Sequence, residues 1–189
     1  VSGVAQFITN RGLGELKNWL NDGYDVIQEW DKMYSDWFAV PKSIKTTSVK
    51  PSGTVSLLAG ATPGLHYPES RFYIRRIRLS KHSELLEPLE KAGYKIEPAF
   101  GSEDTTMVVE VPVDVGEGIR TAAELSIWEQ FSLAAFLQRH WADNQVSCTV
   151  TFNPETEAEQ IAPALNYYQY HLKGISLLPR HDYGAYQQM

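Results

Sequence analysis

The 189-residue sequence has a single cysteine, no long apolar run and no block of basic residues. One cysteine cannot form an internal disulfide, which fits a reducing cytoplasmic compartment. No run approaches the roughly 20 apolar residues of a membrane-spanning helix, and no signal-peptide pattern opens the chain, so no membrane partner is expected. The net charge is −6, and the densest basic run, at 71–81, alternates with aromatic and branched residues. We therefore expect no nucleic-acid polymer as a partner.

What is present is the composition of a globular domain. Hydrophobic residues make up 43% of the chain and charged residues 21%, which is enough apolar material to bury a core. The length suits one large domain or a piece of a larger protein. The chain starts at Val1 within structured sequence and stops at Met189 without a polar tail, which favours a fragment.

Residues 1–40 are predicted to be a helical segment in two pieces. The cluster Asn21-Asp22-Gly23 is expected to interrupt the helix, and Pro41 to end it. Apolar residues recur at helical spacing on both sides of that cluster. They are Leu13, Leu16 and Leu20 before it, and Trp30, Met33, Tyr34 and Trp37 after it. The second, aromatic stripe is predicted to face the core.

The remaining chain alternates between strand and helix patterns. Strands are predicted at 44–50, 72–79, 94–100, 105–113, 145–152 and 175–179, and helices at 83–92, from Thr121 towards Trp141, and from Asn153 to Gly174. Thr121 and Glu124 form a capping-box pattern, and Asn153 has the composition of an N-cap. The strand–helix–strand order near the C-terminus predicts an α/β layout with a parallel crossover.

A loop at 51–56 is the main candidate binding site, within the stretch SVKPSGTVSLLAG (48–60). Its hydroxyl groups can donate to a phosphate, and its glycine lets backbone N–H groups approach an anion closely. It lacks the Gly-Lys-Ser/Thr ending of a Walker A loop. From the residues alone, phosphate binding and an ordinary strand-to-helix turn are equally supported, because helix N-termini of this composition are common.

Two other side chains could carry chemistry. Cys148 lies on the apolar face of a predicted strand, which favours an inert core thiol over a reactive one. His66 lies in a loop rich in glycine and proline, where it could line a cleft or simply be exposed. No histidine pairs with a second histidine or cysteine at metal-ligand spacing, so no metal site is predicted. The alternative to a functional site is, in each case, a purely structural role.

Three longer stretches resemble a known family. They are KTTSVKPSGTVSLLAGATPGLHYPESRFYIRRIRLS, DNQVSCTVTFNPETEAEQIAPAL and GISLLPRHDYGAYQQM. Together they resemble the C-terminal half of the catalytic barrel of ribonucleotide reductases. The resemblance is greatest to the monomeric, adenosylcobalamin-dependent (class II) enzymes that reduce ribonucleoside triphosphates. It covers nearly the whole chain and is weakest over the first 40 residues.

The resemblance implies a fold and a site. The family's fold is a ten-stranded α/β barrel of two halves, to which residues 41–189 would contribute strands and helices. The family's counterpart of the 51–56 loop binds substrate phosphates through backbone amides and hydroxyls, which transfers here to Ser52, Gly53, Thr54, Val55 and Ser56. A less specific likeness places Pro51, Thr62, Gly64 and His66 near the substrate or cofactor mouth.

The chain departs from the family in its cysteines. The family's chemistry uses adenosylcobalamin to form a thiyl radical on a finger loop, two further active-site cysteines, and a redox pair on a C-terminal tail. This chain has only Cys148, so no catalytic residue is assigned within it. The implied partners are an N-terminal part carrying the finger loop and redox cysteines, a shared adenosylcobalamin, a ribonucleoside triphosphate and a thioredoxin-like reductant. The alternatives are a non-catalytic nucleotide-binding or assembly module, or part of a reductase of another class.

Overall fold

The computed structural model of the chain describes residues 1–53 and 55–180. Its helices are α1 (Val4–Phe38), α2 (Val55–Leu58), α3 (Leu86–Lys91), α4 (Ile127–His140) and α5 (Ile161–Tyr168). Its strands are β1 (Phe72–Ser80), β2 (Lys95–Pro98), β3 (Thr106–Asp114), β4 (Thr149–Phe152) and β5 (Ser176–Pro179), and short 3₁₀ turns span Ala122–Glu124 and Ala158–Gln160. None of the helices in the described ranges combines the length and apolarity needed to cross a membrane.

The described chain forms two compact units. One contains Val1–Pro68 and Gly118–Arg180, and the other contains Glu69–Glu117. The second unit is an antiparallel sheet in the order β1-β3-β2, with Phe72 opposite Asp114 and Lys95 opposite Glu110. The strands predicted at 72–79, 94–100 and 105–113 are confirmed, as is a helix within 83–92. The sequence patterns alone do not mark the boundary between the units.

The core of the first unit forms between α4 and the strand segment that follows it. Ile127, Phe131 and Leu137 on α4 are completely buried. From Val146 to Phe152, every second side chain is buried and the intervening ones are partly exposed, because a strand directs alternate side chains to opposite faces. The predicted alternation is confirmed, although the regular strand β4 covers only its last four residues.

β4 and β5 pair in parallel, with Val150 opposite Leu177, so the predicted parallel crossover is confirmed. The strand predicted at 44–50 is wrong, because within the described residues only Val49 forms a bridge, a parallel one with Val146. The two threonines that precede Val49, Thr46 and Thr47, form hydrogen bonds with the turn after α4 instead. The Thr46 N–H and Oγ1 both donate to the Asp143 carboxylate at 3.0 Å, and the Asn144 N–H donates to the Thr47 carbonyl at 2.9 Å.

Helix α1 is interrupted, but not where the sequence predicted. The helix continues through 21–23, so the predicted break there is wrong. The break is at Gly12, whose φ of 82° and ψ of 165° lie outside the helical region. Only glycine readily adopts that conformation, because it has no Cβ. Polar residues such as Asn21 and Asp22 lower helix propensity by less than about 1 kcal/mol each, which surrounding contacts readily override.

The aromatic stripe of α1 is exposed, so the prediction that it faces the core is wrong for the described residues. Trp30, Tyr34 and Trp37 are 50%, 45% and 68% exposed. Their rings contact one another, with centroids 5.5 Å apart for the first pair and 5.4 Å for the second. The helical spacing itself is confirmed, but spacing does not reveal what covers a face.

Two helix starts also differ from the prediction. The Thr121–Glu124 capping box forms, but it opens only a 3₁₀ turn; a second box, Ser126–Glu129, opens α4. After β4, the helix predicted from Asn153 begins as α5 at Ile161, eight residues later. The Asn153 Oδ1 accepts the Glu155 N–H at 2.9 Å in a local turn, while the Glu157 carboxylate accepts the Asn153 N–H at 2.8 Å.

The mixed α/β class is confirmed. The described residues contain five strands in two sheets. The ten-stranded barrel half stays a prediction.

Candidate functional site

The loop at 51–56 follows the Val49 bridge directly and leads into α2. Thr54, one of its predicted phosphate ligands, lies outside the described residues. The Ser56 N–H donates to the Ser52 carbonyl at 2.9 Å, and the buried Ser56 hydroxyl donates to the Gly53 carbonyl at 3.3 Å. These two contacts close the loop into a tight turn.

Ser52 adopts a positive φ of 48°, which is uncommon for a residue other than glycine. Its hydroxyl is engaged within the protein, since Oγ accepts the Gly64 N–H at 3.1 Å and lies 2.5 Å from the Ser2 Oγ. The hydroxyl of Ser52 thus links the loop to two other segments. Its predicted role as a phosphate ligand stays a prediction.

The backbone amides offer a second set of donors. Within the described part of the chain, the N–H groups of Gly53 and Val55 have no hydrogen-bond acceptor. Val55 is 71% exposed, whereas Ser56 is buried. Backbone N–H groups left without an acceptor in a tight turn are the kind of donor that binds anions. The amides of Gly53 and Val55 are therefore candidate donors to an anion.

The segment after α2, residues 60–66, returns alongside the loop. The Ala61 N–H donates to the Ser56 carbonyl at 2.9 Å. Gly64 has a φ of 53°, and a Cβ placed on it would lie only 2.6 Å from the Lys50 carbonyl oxygen. The return segment and the chain entering the loop therefore touch backbone to backbone.

The predicted mouth residues occupy different environments. Pro51 is exposed, whereas Thr62 and Gly64 are buried. The Thr62 hydroxyl has no hydrogen-bond partner among the described residues. Their assignment to a substrate or cofactor mouth stays a prediction.

His66 links the return segment to β4. Its Nε2 accepts the Thr149 N–H at 3.1 Å, so this nitrogen carries no proton and the ring is neutral. Burial lowers the pKa of His66, and a hydrogen bond with the Pro63 backbone only partly opposes the shift. A histidine in this environment supports the loop structure, and its Nε2 is not available to a metal.

Sequence reasoning missed the start of α1 as part of the site. The Gly3 N–H donates to the Thr62 carbonyl at 2.8 Å, and the Val4 N–H to the Gly64 carbonyl at 3.3 Å. The Gln6 side chain binds both Gly60 and Thr62. No local pattern could reveal the Gln6 contacts, because they join residues 54 and 56 positions apart.

Cys148 is the inert core thiol that the sequence predicted. It is buried, and burial raises the pKa of its thiol to about 12. The reactive thiolate is therefore essentially absent at neutral pH. Among the described residues, no group of three or more histidine, cysteine, aspartate and glutamate side chains is arranged to hold a metal ion.

Sequence comparison gives close relatives. No family model matches the chain. Over all 189 residues, it is 60% identical to an adenosylcobalamin-dependent ribonucleoside-triphosphate reductase of Euglena gracilis, covering 26% of that protein. It is 57% identical to a probable enzyme of the same name from Dictyostelium discoideum, covering all of this chain and 25% of that protein. Over 86% of this chain, it is 45% identical to the Levilactobacillus brevis reductase, covering 22% of it.

A solved structure matches as well. A crystal structure of a B12-dependent (class II) ribonucleotide reductase superposes with a TM-score of 0.75 at 38% identity, over 89% of this chain and 24% of that one. The chain thus spans about a quarter of the length of the curated relatives it matches. Sequence and fold agree that the whole chain corresponds to a region of the adenosylcobalamin-dependent ribonucleoside-triphosphate reductases.

Proposed function

We propose that this chain is the substrate-phosphate-binding part of an adenosylcobalamin-dependent ribonucleoside-triphosphate reductase. The observation that carries the proposal is 60% identity over the whole chain to a protein of that name. Because the chain spans about a quarter of such a protein, reduction of the nucleotide is an activity of the complete polypeptide. The loop at 51–56 is the contribution of this segment.

The loop binds the phosphates by positioning donors around them. The amides of Gly53 and Val55, which have no acceptor within the described residues, are the proposed backbone donors. Thr54 is the proposed hydroxyl donor. A turn that already holds its donors in place loses little conformational entropy on binding, so most of the hydrogen-bond energy contributes to affinity.

The reducing chemistry lies outside this segment. Reduction at the ribose needs cysteines that alternate between thiol and disulfide, and Cys148 is alone and buried. The proposed partner is therefore the rest of the polypeptide, which carries the finger loop, the redox cysteines and the tail served by a thioredoxin-like reductant. Adenosylcobalamin, when bound to the complete enzyme, supplies the radical. His66 and Thr62 are held in internal contacts or buried, so no step passes through them.

The segment is also proposed to form the C-terminal half of the catalytic barrel. The parallel pairing of β4 with β5, and of Val49 with Val146, supports this arrangement. In this proposal, the Val49 bridge, β4 and β5 belong to the barrel wall and lead their following loops to one end of the barrel. Placing a loop after a wall strand is a common way to position a binding site in α/β proteins.

The loop is tested in the complete reductase polypeptide with Thr54→Val. Binding of a ribonucleoside triphosphate is compared with binding of the corresponding ribonucleoside. We expect triphosphate affinity to fall about fivefold, the effect of roughly 1 kcal/mol for one lost hydrogen bond, with nucleoside affinity unchanged. The matched control is Thr151→Val, whose buried hydroxyl has no partner among the described residues. Unchanged triphosphate affinity in a folded Thr54→Val protein would return the loop to a purely structural turn.

Activity separates the main proposal from its alternative. The complete polypeptide is supplied with adenosylcobalamin, a dithiol and a ribonucleoside triphosphate, and the deoxyribonucleotide product is measured. Product formation supports the reductase. Nucleotide binding without product, in a folded protein with bound cofactor, would instead indicate a non-catalytic nucleotide-binding module.

A further inference from the structure

The side chain of Gln6 joins the start of α1 to the segment beside the phosphate loop. Its Nε2 donates to the Gly60 carbonyl at 3.0 Å, and its Oε1 accepts the Thr62 N–H at 2.8 Å. One planar carboxamide therefore fixes both ends of a three-residue stretch. Gln6 is itself held in place, because its neighbours Val4 and Ala5 are 1% and 0% exposed.

The stretch that Gln6 holds is bonded directly to the loop. Ala61, between the two contacts, donates its N–H to the Ser56 carbonyl at 2.9 Å. Two residues after Thr62, the Gly64 N–H donates to the Ser52 Oγ at 3.1 Å. The path from Gln6 to the loop is thus a short series of hydrogen bonds and backbone links that reaches both ends of the loop.

The loop needs such external support. Ser52 occupies a left-handed conformation that costs a non-glycine residue about 1–2 kcal/mol. Helix α2, which follows, has only four residues and is too short to be stable by itself. The geometry of the loop must therefore come from the segments packed around it.

We propose that Gln6 is a positioning residue for nucleotide binding, holding the 51–56 loop in its phosphate-binding geometry. The inference rests on the proposed function of that loop. Gln6 acts through the backbone of residues 60–62. Loss of its carboxamide lets the return segment move, so the loop amides no longer converge on one phosphate.

The test uses Gln6→Met in the complete reductase polypeptide, a change that keeps side-chain length and removes the hydrogen bonds to Gly60 and Thr62. The control is Gln28→Met on the same helix, which removes a 2.7 Å bond from Nε2 to the Thr46 Oγ1. We expect Gln6→Met to raise the KM and Kd for the ribonucleoside triphosphate about fivefold or more, the effect of losing one to two neutral hydrogen bonds. We expect kcat to stay within about twofold and nucleoside affinity to stay unchanged, because in the proposed function the loop binds only the phosphates.

A conservative variant provides a second measurement. Gln6→Glu keeps the acceptor for the Thr62 N–H and loses the donor to Gly60, so we expect an intermediate rise in triphosphate Kd. If Gln6→Met does not fold, the ratio of triphosphate to nucleoside affinity in Gln6→Glu decides. The control Gln28→Met should change melting temperature without changing this ratio.

The outcomes separate this inference from the proposed function. If Gln6→Met and Gln6→Glu keep the wild-type ratio of triphosphate to nucleoside affinity while Thr54→Val lowers it, Gln6 is merely structural and the inference is overturned. If Thr54→Val also leaves the ratio unchanged, the phosphate-binding function of the loop fails. A lower ratio in Gln6 variants but not in Gln28→Met supports the positioning role.

Discussion

Gly64 packs closely against the chain that enters the 51–56 loop. Its φ is 53°, and a Cβ added there would come within 2.6 Å of the Lys50 oxygen, which leaves no room for a side chain. Gly60 offers a matched control, because its φ is also positive, at 61°, but apart from its chain neighbours no atom of the described residues lies within 4 Å of a Cβ there. The two glycines therefore separate backbone strain from steric overlap.

We expect Gly64→Ala to destabilise the protein by about 1–3 kcal/mol more than Gly60→Ala, because overpacking against the backbone adds to the cost of a positive φ. The measurement is the free energy of unfolding from urea titration. Triphosphate affinity should fall with Gly64→Ala as the loop shifts. Equal free energies of unfolding for the two variants would show that the backbone shifts to accommodate the added Cβ without loss of stability.

The loop could be singled out from sequence as a candidate binding site, but the contacts of its side chains could not be predicted. From its serine, threonine and glycine alone, phosphate binding and a structural turn are equally supported. The Ser52 hydroxyl is engaged within the protein because it contacts Ser2 and Gly64. Ser2 lies 50 positions from Ser52 in the sequence. Local composition contains no information about such partners.

Two glycines at the start of α1 have opposite conformational requirements. Gly12 has a φ of 82° and a ψ of 165°, whereas Gly14 lies within the helix. Apart from the chain neighbours and the backbone of α1 itself, no atom of the described residues lies within 4 Å of a Cβ at either position. Their substitution therefore tests backbone conformation alone.

We expect Gly12→Ala to destabilise the protein by about 1–3 kcal/mol, since alanine must either adopt a glycine conformation or straighten the helix. Gly14→Ala should stabilise it by about 0.5–1 kcal/mol by lowering the entropy of the unfolded chain. Thermal melting of both variants provides the measurement. Stabilisation by both would mean that the break at Gly12 is not required by the fold.

On the scale of the element, strands and helices with a strong hydrophobic periodicity could be predicted from sequence, whereas contacts between distant residues could not. The nine-residue strands β1 and β3 match their predictions closely because they pair with each other over their full length. Residues 44–48 had the composition of a strand, but Thr46 and Thr47 bind the turn at 143–144. Hydrogen-bond partners supplied by another element override local β propensity.

On the scale of the whole molecule, the His66 side chain joins two distant parts of the chain through a hydrogen bond. Protonation of its ring would break that bond. The Thr149 N–H that it accepts lies 83 positions away. Protonation of Nε2 removes the acceptor. Because burial lowers the folded pKa below the ordinary value of 6.5, this contribution to stability is complete above pH 6.5 and is lost as pH falls towards the folded pKa.

We therefore expect the melting temperature of the wild type to fall more steeply than that of His66→Gln as the pH decreases from about 7.5 to about 5.5, the range in which histidine titrates. Glutamine can accept the same N–H without titrating in this range. The comparison between the two proteins removes the contribution of other groups, including His140, whose pKa is also lowered by burial. Parallel curves would contradict the assigned role of His66.

Family membership could be recognised from the sequence, whereas the arrangement around the loop required the structure. The long ordered stretch from Lys45 to Ser80 resembles the reductase family closely enough to be recognised in the sequence. The same match says nothing of Gln6, because the first 40 residues resemble the family least. Contacts from that region to the loop become visible only in the folded chain.

The docking of residues 46–49 onto 141–147 sets an order of events during synthesis on the ribosome. Thr46 leaves the ribosome 97 residues before its partner Asp143. At about 5–20 residues per second, it waits roughly 5–20 s. Residues 69–117 form their own antiparallel sheet and can fold in that interval. Residues 46–49 are thus made early in this chain and reach their final position only after residues 141–147 have been made.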